Sequence, residues 1–152
     1  MVTEDYSTDR RVLAWFCDEI FHERFAKLSP QSHPMHVLES IEASSPAAAR
    51  KALRMTLADF TEQSYDWPPD FVRLVDERLR GAGLPTLSEL RYRLGKRMRK
   101  VLKRGVIDTE DDYYMLAGLA SDRSASMTEA DHALLARLLA DYENRLRPQP
   151  PA

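Results

Sequence analysis

Cysteine is almost missing from this chain. Cys17 is the only one in 152 residues, which excludes an intramolecular disulfide framework and a cysteine-cluster zinc site. Long apolar runs are missing too. The longest, Met115 to Ala120, falls far short of the roughly 20 residues a membrane span needs. Met1 to Arg11 is polar and holds no apolar stretch of the kind a secretory signal carries. A reducing cytoplasm is therefore the expected setting, with no membrane association. Glycine is scarce and confined to the interval Gly81 to Gly118. It forms neither a phosphate-cradling loop nor a Gly-x-Ser-x-Gly elbow. β-Branched residues are few: Val and Ile total 10, whereas Leu and Ala total 36. That balance favours helix over strand, and no segment alternates with period two.

The fold class expected is all-α, a compact bundle of six or seven helices. Ser7 or Thr8 caps a first helix from Thr8 to Leu28, with Leu13, Phe16, Cys17, Ile20, Phe21, Phe25 and Leu28 on its apolar face. A short helix comes after Pro34. Ser45-Pro46 starts another that reaches Thr61. Tyr65 to Pro69 reads as a loop, and the next helix runs from Pro69 to Arg80. Thr86-x-x-Glu89 is a capping box that opens a helix reaching Arg104, where Gly105 stops it. Thr109 caps a helix to Ala120, and Thr128 caps the last one, to Leu146. There is no internal repeat and no composition break. Residues 1–146 read as a single helical domain and 147–152 as a Pro-rich C-terminal tail.

Charge is distributed unevenly. The net charge of −2 divides into −4 over residues 1–80, +7 over 81–107 and −5 over 108–152. The segment 87–104 carries eight basic residues. At about 100° per residue, its leucines with Met98 and Val101 form one apolar arc. Arg93, Lys96, Arg97, Arg99, Lys100, Lys103 and Arg104 cover the other side. Arg91 falls inside the apolar arc, so it is expected to be buried and paired with a carboxylate. Gly95 flanks that arc and would let a neighbouring helix approach. Such a basic face suits an anionic partner, nucleic acid or an acidic protein surface. The competing reading is a solvated face whose cations pair with Asp108, Glu110, Asp111 and Asp112, the acids next in the chain. The turn Gly81 to Leu84 loosely resembles a helix-turn-helix. It departs from that pattern at Glu89, where the family buries an apolar residue.

The constellations that carry chemistry are thin. Glu19-x-x-His22 and Glu129-x-x-His132 have the spacing of di-iron bundle ligands, but both lie off the apolar faces of their helices. His33 and His36 lack the further ligands a zinc site needs. Cys17 and His22 point to different sides of one helix, so they form no nucleophile–base pair. No cofactor and no metal is expected, and no catalytic residue is assigned. An enzyme with a site assembled from scattered residues would require a concave pocket with perturbed ionisable groups.

The stretch Leu102-Lys103-Arg104-Gly105-Val106-Ile107, then Glu110, Tyr113-Tyr114 and the closing Leu134-Leu135 to Tyr142-Glu143 helix, resembles small helical immunity proteins. These belong to bacterial toxin–immunity systems, including contact-dependent inhibition. The resemblance implies a cytoplasmic inhibitor that neutralises a toxin domain by binding it, and it brings no catalytic residues. The function expected is therefore non-catalytic protein binding. The candidate acidic faces are Asp18, Glu19 and Glu23, and Asp108, Glu110, Asp111 and Asp112. The candidate aromatic anchors are Trp15, Tyr65 and Trp67. The alternative is nucleic-acid binding through the basic face. Sequence gives no oligomeric state.

Overall fold

The computed structural model describes residues 5–123 and 125–147. It is all-α, with nine α-helices, a π-helical turn, two 3-10 turns and no strand among the described residues. The chain divides into two compact units, residues 1–60 and 61–152, and the division falls inside one helix. Of the tail expected at 147–152, only Arg147 belongs to the described residues, and the rest lies outside them. Two more helices form than the sequence implies, because two long expected helices are each interrupted.

The first interruption is in the first unit. Its elements are α1 (Tyr6–Trp15), a π turn (Phe16–Ile20), α2 (His22–Ala26), a 3-10 turn (Pro30–Ser32), α3 (Pro34–Ser44) and most of α4 (Pro46–Gln63). The helix expected at 8–28 is therefore not continuous. It starts two residues earlier, because the Asp5 carboxylate accepts the Ser7 N–H at 3.1 Å and takes the cap role expected of Ser7 or Thr8. At Phe21 the backbone N–H donates to the Phe16 carbonyl, five residues back, at 2.9 Å. The wider turn shifts the phase of α2 relative to α1. Phe16, Phe21 and Phe25 then all reach the Phe60 ring, at centroid distances of 5.8, 4.8 and 6.3 Å. Leu28 drops out of the helix and is exposed. His33 Nδ1 accepts the Met35 N–H and caps α3, which gives that histidine a structural role. Glu42 ties α3 to α1 by accepting from the Tyr6 hydroxyl at 2.7 Å and from Arg10 Nε at 2.9 Å.

The second unit holds a 3-10 turn (Ser64–Asp66), α5 (Pro69–Gly81), α6 (Leu87–Leu94), α7 (Lys96–Arg104), α8 (Glu110–Ala120) and α9 (Glu129–Leu146). Its core gathers Met98, Val101, Ile107, Met115, Leu116, Leu119, Leu135 and Leu138, all buried. The threonine caps form as expected. Thr86, Thr109 and Thr128 accept the N–H groups of Glu89, Asp112 and Asp131, each at 3.1 Å. The reciprocal half of the capping box does not form, because the buried Glu89 carboxylate instead accepts the Ser126 N–H at 3.1 Å.

The basic segment 87–104 is two helices rather than one. They part at Gly95, whose backbone is extended (φ −80°, ψ 129°). A Cβ at this position would run into the Tyr65 hydroxyl and the Arg91 carbonyl oxygen. Gly95 thus lets a side chain, not a neighbouring helix, approach closely. The break releases carbonyls at the end of α6, and Arg99 Nη2 donates to one of them, that of Arg93, at 3.1 Å.

Candidate protein interface of the second unit

Helical spacing brings one stripe of α5 and one of α8 to a shared cavity of about 290 Å³. Arg73, Asp76, Glu77 and Arg80 lie at i, i+3, i+4 and i+7 on α5, so they share a face. Asp111, Tyr114, Met115 and Gly118 do the same on α8. Tyr65 and Trp67 line the cavity from the segment before α5, and Arg91 and Arg97 contribute from α6 and α7.

Two charges of the cavity wall are buried. Asp76, 5% exposed, accepts from the Ser88 N–H at 3.1 Å and from the Ser88 hydroxyl at 2.6 Å. Burial pushes its carboxyl above the ordinary range, against the Ser88 hydrogen bonds that lower it. Arg91 is 4% exposed, as its place in the apolar arc implies. Its partner is not the expected carboxylate. Nε donates to Ser64 Oγ at 3.0 Å, Nη2 donates to the Ser64 carbonyl at 2.7 Å, and the guanidinium lies 5.1 Å from the Tyr65 ring centroid. Asp76 adds attraction through space.

The remaining arginines are also engaged within the unit. Arg73 meets Asp70 at 3.3 Å, Arg80 meets the buried Asp122 at 3.6 Å, and Arg97 meets the buried Asp112 at 2.9 Å. The carboxylates are not all matched. Glu77 and Asp111 are exposed, and among the described residues neither has a cationic nitrogen within 4 Å. The face therefore presents two spare negative charges. Trp67 stands beside them, half-buried, edge-on to Phe71 at 5.0 Å. Tyr114 is 41% exposed there, and Phe71 and Leu74 are exposed on α5.

The acids expected to face a partner are thus divided. Asp112 is buried between Arg97 and Arg104, and Asp108 pairs with Arg104 at 3.1 Å. Glu110 is exposed one helical turn before Tyr114, and Asp111 lines the cavity. In the first unit Asp18, Glu19 and Glu23 are exposed on the π turn and α2, and Trp15 is half-buried, edge-on to Phe16 at 5.3 Å.

The basic residues divide as well. Arg97 and Arg104 are paired, and Arg93 is half-buried. Lys96, Arg99, Lys100 and Lys103 are exposed on α7. Among the described residues, none of the three lysines meets a carboxylate within 4 Å.

Glu19, His22, Glu129 and His132 are all exposed, as their off-face positions imply. Cys17 is buried, and burial with the charge of Asp18 pushes its thiol up to about 12. Among the described residues, no three His, Cys, Asp or Glu side chains are grouped to hold a metal ion, and no helix is long and apolar enough to cross a membrane.

Sequence reasoning missed Asp76, Glu77, Arg80 and Tyr114 as lining residues. A signal existed: the charged stripe of α5 has the same helical spacing as its apolar face. No family model, curated protein or solved structure matches the chain.

Proposed function

We propose that the chain is a non-catalytic protein-binding module whose second unit presents its cavity face to a basic protein partner. The finer form of this reading is an immunity-type inhibitor that neutralises a toxin domain by direct binding. One observation carries it: Glu77 and Asp111 are left over after every arginine of the cavity has an internal partner. Exposed Tyr114 and half-buried Trp67 line the same cavity, the composition of a binding hot spot. Spare charge on one face steers association with an oppositely charged groove. An enzymatic reading has less support. The cavity has a perturbed carboxyl, Asp76, but both its oxygens are occupied by Ser88, which makes it a structural acceptor and not a free base.

The test is a calorimetric titration with the polypeptide encoded by the adjacent gene, together with growth protection when both are expressed. A complex weakened by Trp67→Ala and by Asp111→Lys supports the reading. The absence of both complex and protection contradicts it.

A second reading is favoured by the lysines of α7. Lys96, Lys100 and Lys103 lie at i, i+4 and i+7, one stripe with a rise of roughly 10 Å. Such a stripe suits the phosphates of a nucleic acid, and its affinity would fall steeply with salt. An electrophoretic shift at low salt, lost when the three lysines become glutamate, supports it. No shift at low salt removes it.

A further inference from the structure

We propose that the cavity of the second unit is a receptor for one arginine side chain of the partner, its guanidinium held by Glu77 and Asp111 and flanked by Trp67 and Tyr114. This rests on the reading of that face as a protein interface. Charge disfavours an anionic occupant. Arg73, Arg80 and Arg97 are each spent on a carboxylate of the unit, and Arg91 is held by Ser64 and faces Asp76. What the cavity offers a newcomer is the charge of Glu77 on α5 and of Asp111 on α8.

The aromatic walls narrow the choice further. Arg91 and Arg97 already lie over the Tyr65 ring, at 5.1 and 5.3 Å, so that face is taken. Trp67, which packs edge-on to Phe71, and Tyr114 also line the cavity, and Tyr114 stands one helical turn from Asp111. A flat, delocalised cation fits aromatic walls and paired carboxylates better than an ammonium does. It is more weakly hydrated, and its fork can bond two acids at once. The apolar stem of an arginine has Val72 and Met115 to lie against. A cavity of about 290 Å³ has room for one such side chain.

The experiment uses the full chain and n-butylguanidinium as the probe, tracked by amide NMR shifts and by Trp67 fluorescence in a Trp15→Phe background. Saturable binding is expected, with Kd on the order of millimolar for so small a ligand. Shifts should concentrate on α5 and α8, and n-butylammonium should bind several-fold more weakly. Glu77→Gln and Asp111→Asn should each raise Kd by roughly fivefold or more. Both residues are exposed, so each variant should stay folded, with Asp111→Asn melting slightly lower because Asp111 lies in the first turn of α8. Glu129→Gln, on α9, should bind as wild type does. Unsaturable shifts, or binding indifferent to both cavity variants, would overturn the proposal. A complex with the basic partner that survives both substitutions overturns the arginine pocket and leaves the interface reading standing. Guanidinium binding in the cavity without any complex does the reverse.

Discussion

Asp76 shows what a single buried carboxylate does here. It reaches from α5 to the first turn of α6 and accepts from both the backbone and the hydroxyl of Ser88. Asp76→Ala leaves those donors without an acceptor, so chemical denaturation should show a loss of about 1–3 kcal/mol. Asp76→Asn keeps an acceptor and removes the titration. The sign comes from the raised carboxyl. The folded state holds this proton more tightly than the unfolded chain, whose reference is 3.8, so ionisation costs stability. The contribution of Asp76 is greatest below that reference and falls as pH rises through the raised folded value. Ser88 and Arg91 oppose the shift, and Asp122 adds to it. Wild-type stability minus that of Asp76→Asn should therefore decline as pH rises from about 3.5 and then level off. A flat difference would show that Asp76 is not perturbed by folding. Cys17 makes a second case. Buried, with its thiol raised to about 12, it should resist thiol reagents at pH 8 until the protein is denatured. Burial of Arg91 was legible from its place in the leucine arc. Its partner was not, because Ser64 lies 27 residues away and no local pattern links the two.

Elements obey the same division between local and distant causes. The caps Thr86, Thr109 and Thr128 were legible because each bond closes over three residues. The two interruptions were not, since each depends on packing from elsewhere in the chain. The π turn sets the phenylalanines against Phe60 of α4, and the break at Gly95 makes room for Tyr65. Gly95→Ala tests the second point. Its backbone angles suit alanine, so the cost is steric. It should be about 1–3 kcal/mol, the usual range for overpacking. Tyr65→Phe removes one of the two atoms in the way. Thermal melts of the double variant should recover part of that loss, with the Arg91 carbonyl keeping the rest. Full additivity would mean that Tyr65 does not set the break.

Over the whole molecule, near-neutral charge is a cancellation carried out side chain by side chain. The acids after Gly105 neutralise the inner arginines of α7, which the sequence suggested through its run of Asp108 to Asp112. The structure adds two sets of charges of the second unit that keep no ion-pair partner among the described residues: lysines on the outside of α7, and Glu77 with Asp111 at the cavity. The acidic half of that result was hidden, because attention to the apolar side of α5 passes over its charged side. If the lysine stripe engages phosphates, log Kd should rise with log salt at a slope of roughly 2 to 3 for three contacts. Charge reversal at Lys96, Lys100 and Lys103 should abolish that dependence. The most direct measurement is calorimetry of the full chain against the product of the adjacent gene, for wild type, Glu77→Gln, Asp111→Asn and the double variant. Tight binding that weakens by roughly tenfold or more when both carboxylates are removed together is the expected result. No complex at all would contradict the assignment of this face as the interface, and an affinity unchanged by their removal would contradict the part given to the two carboxylates in it.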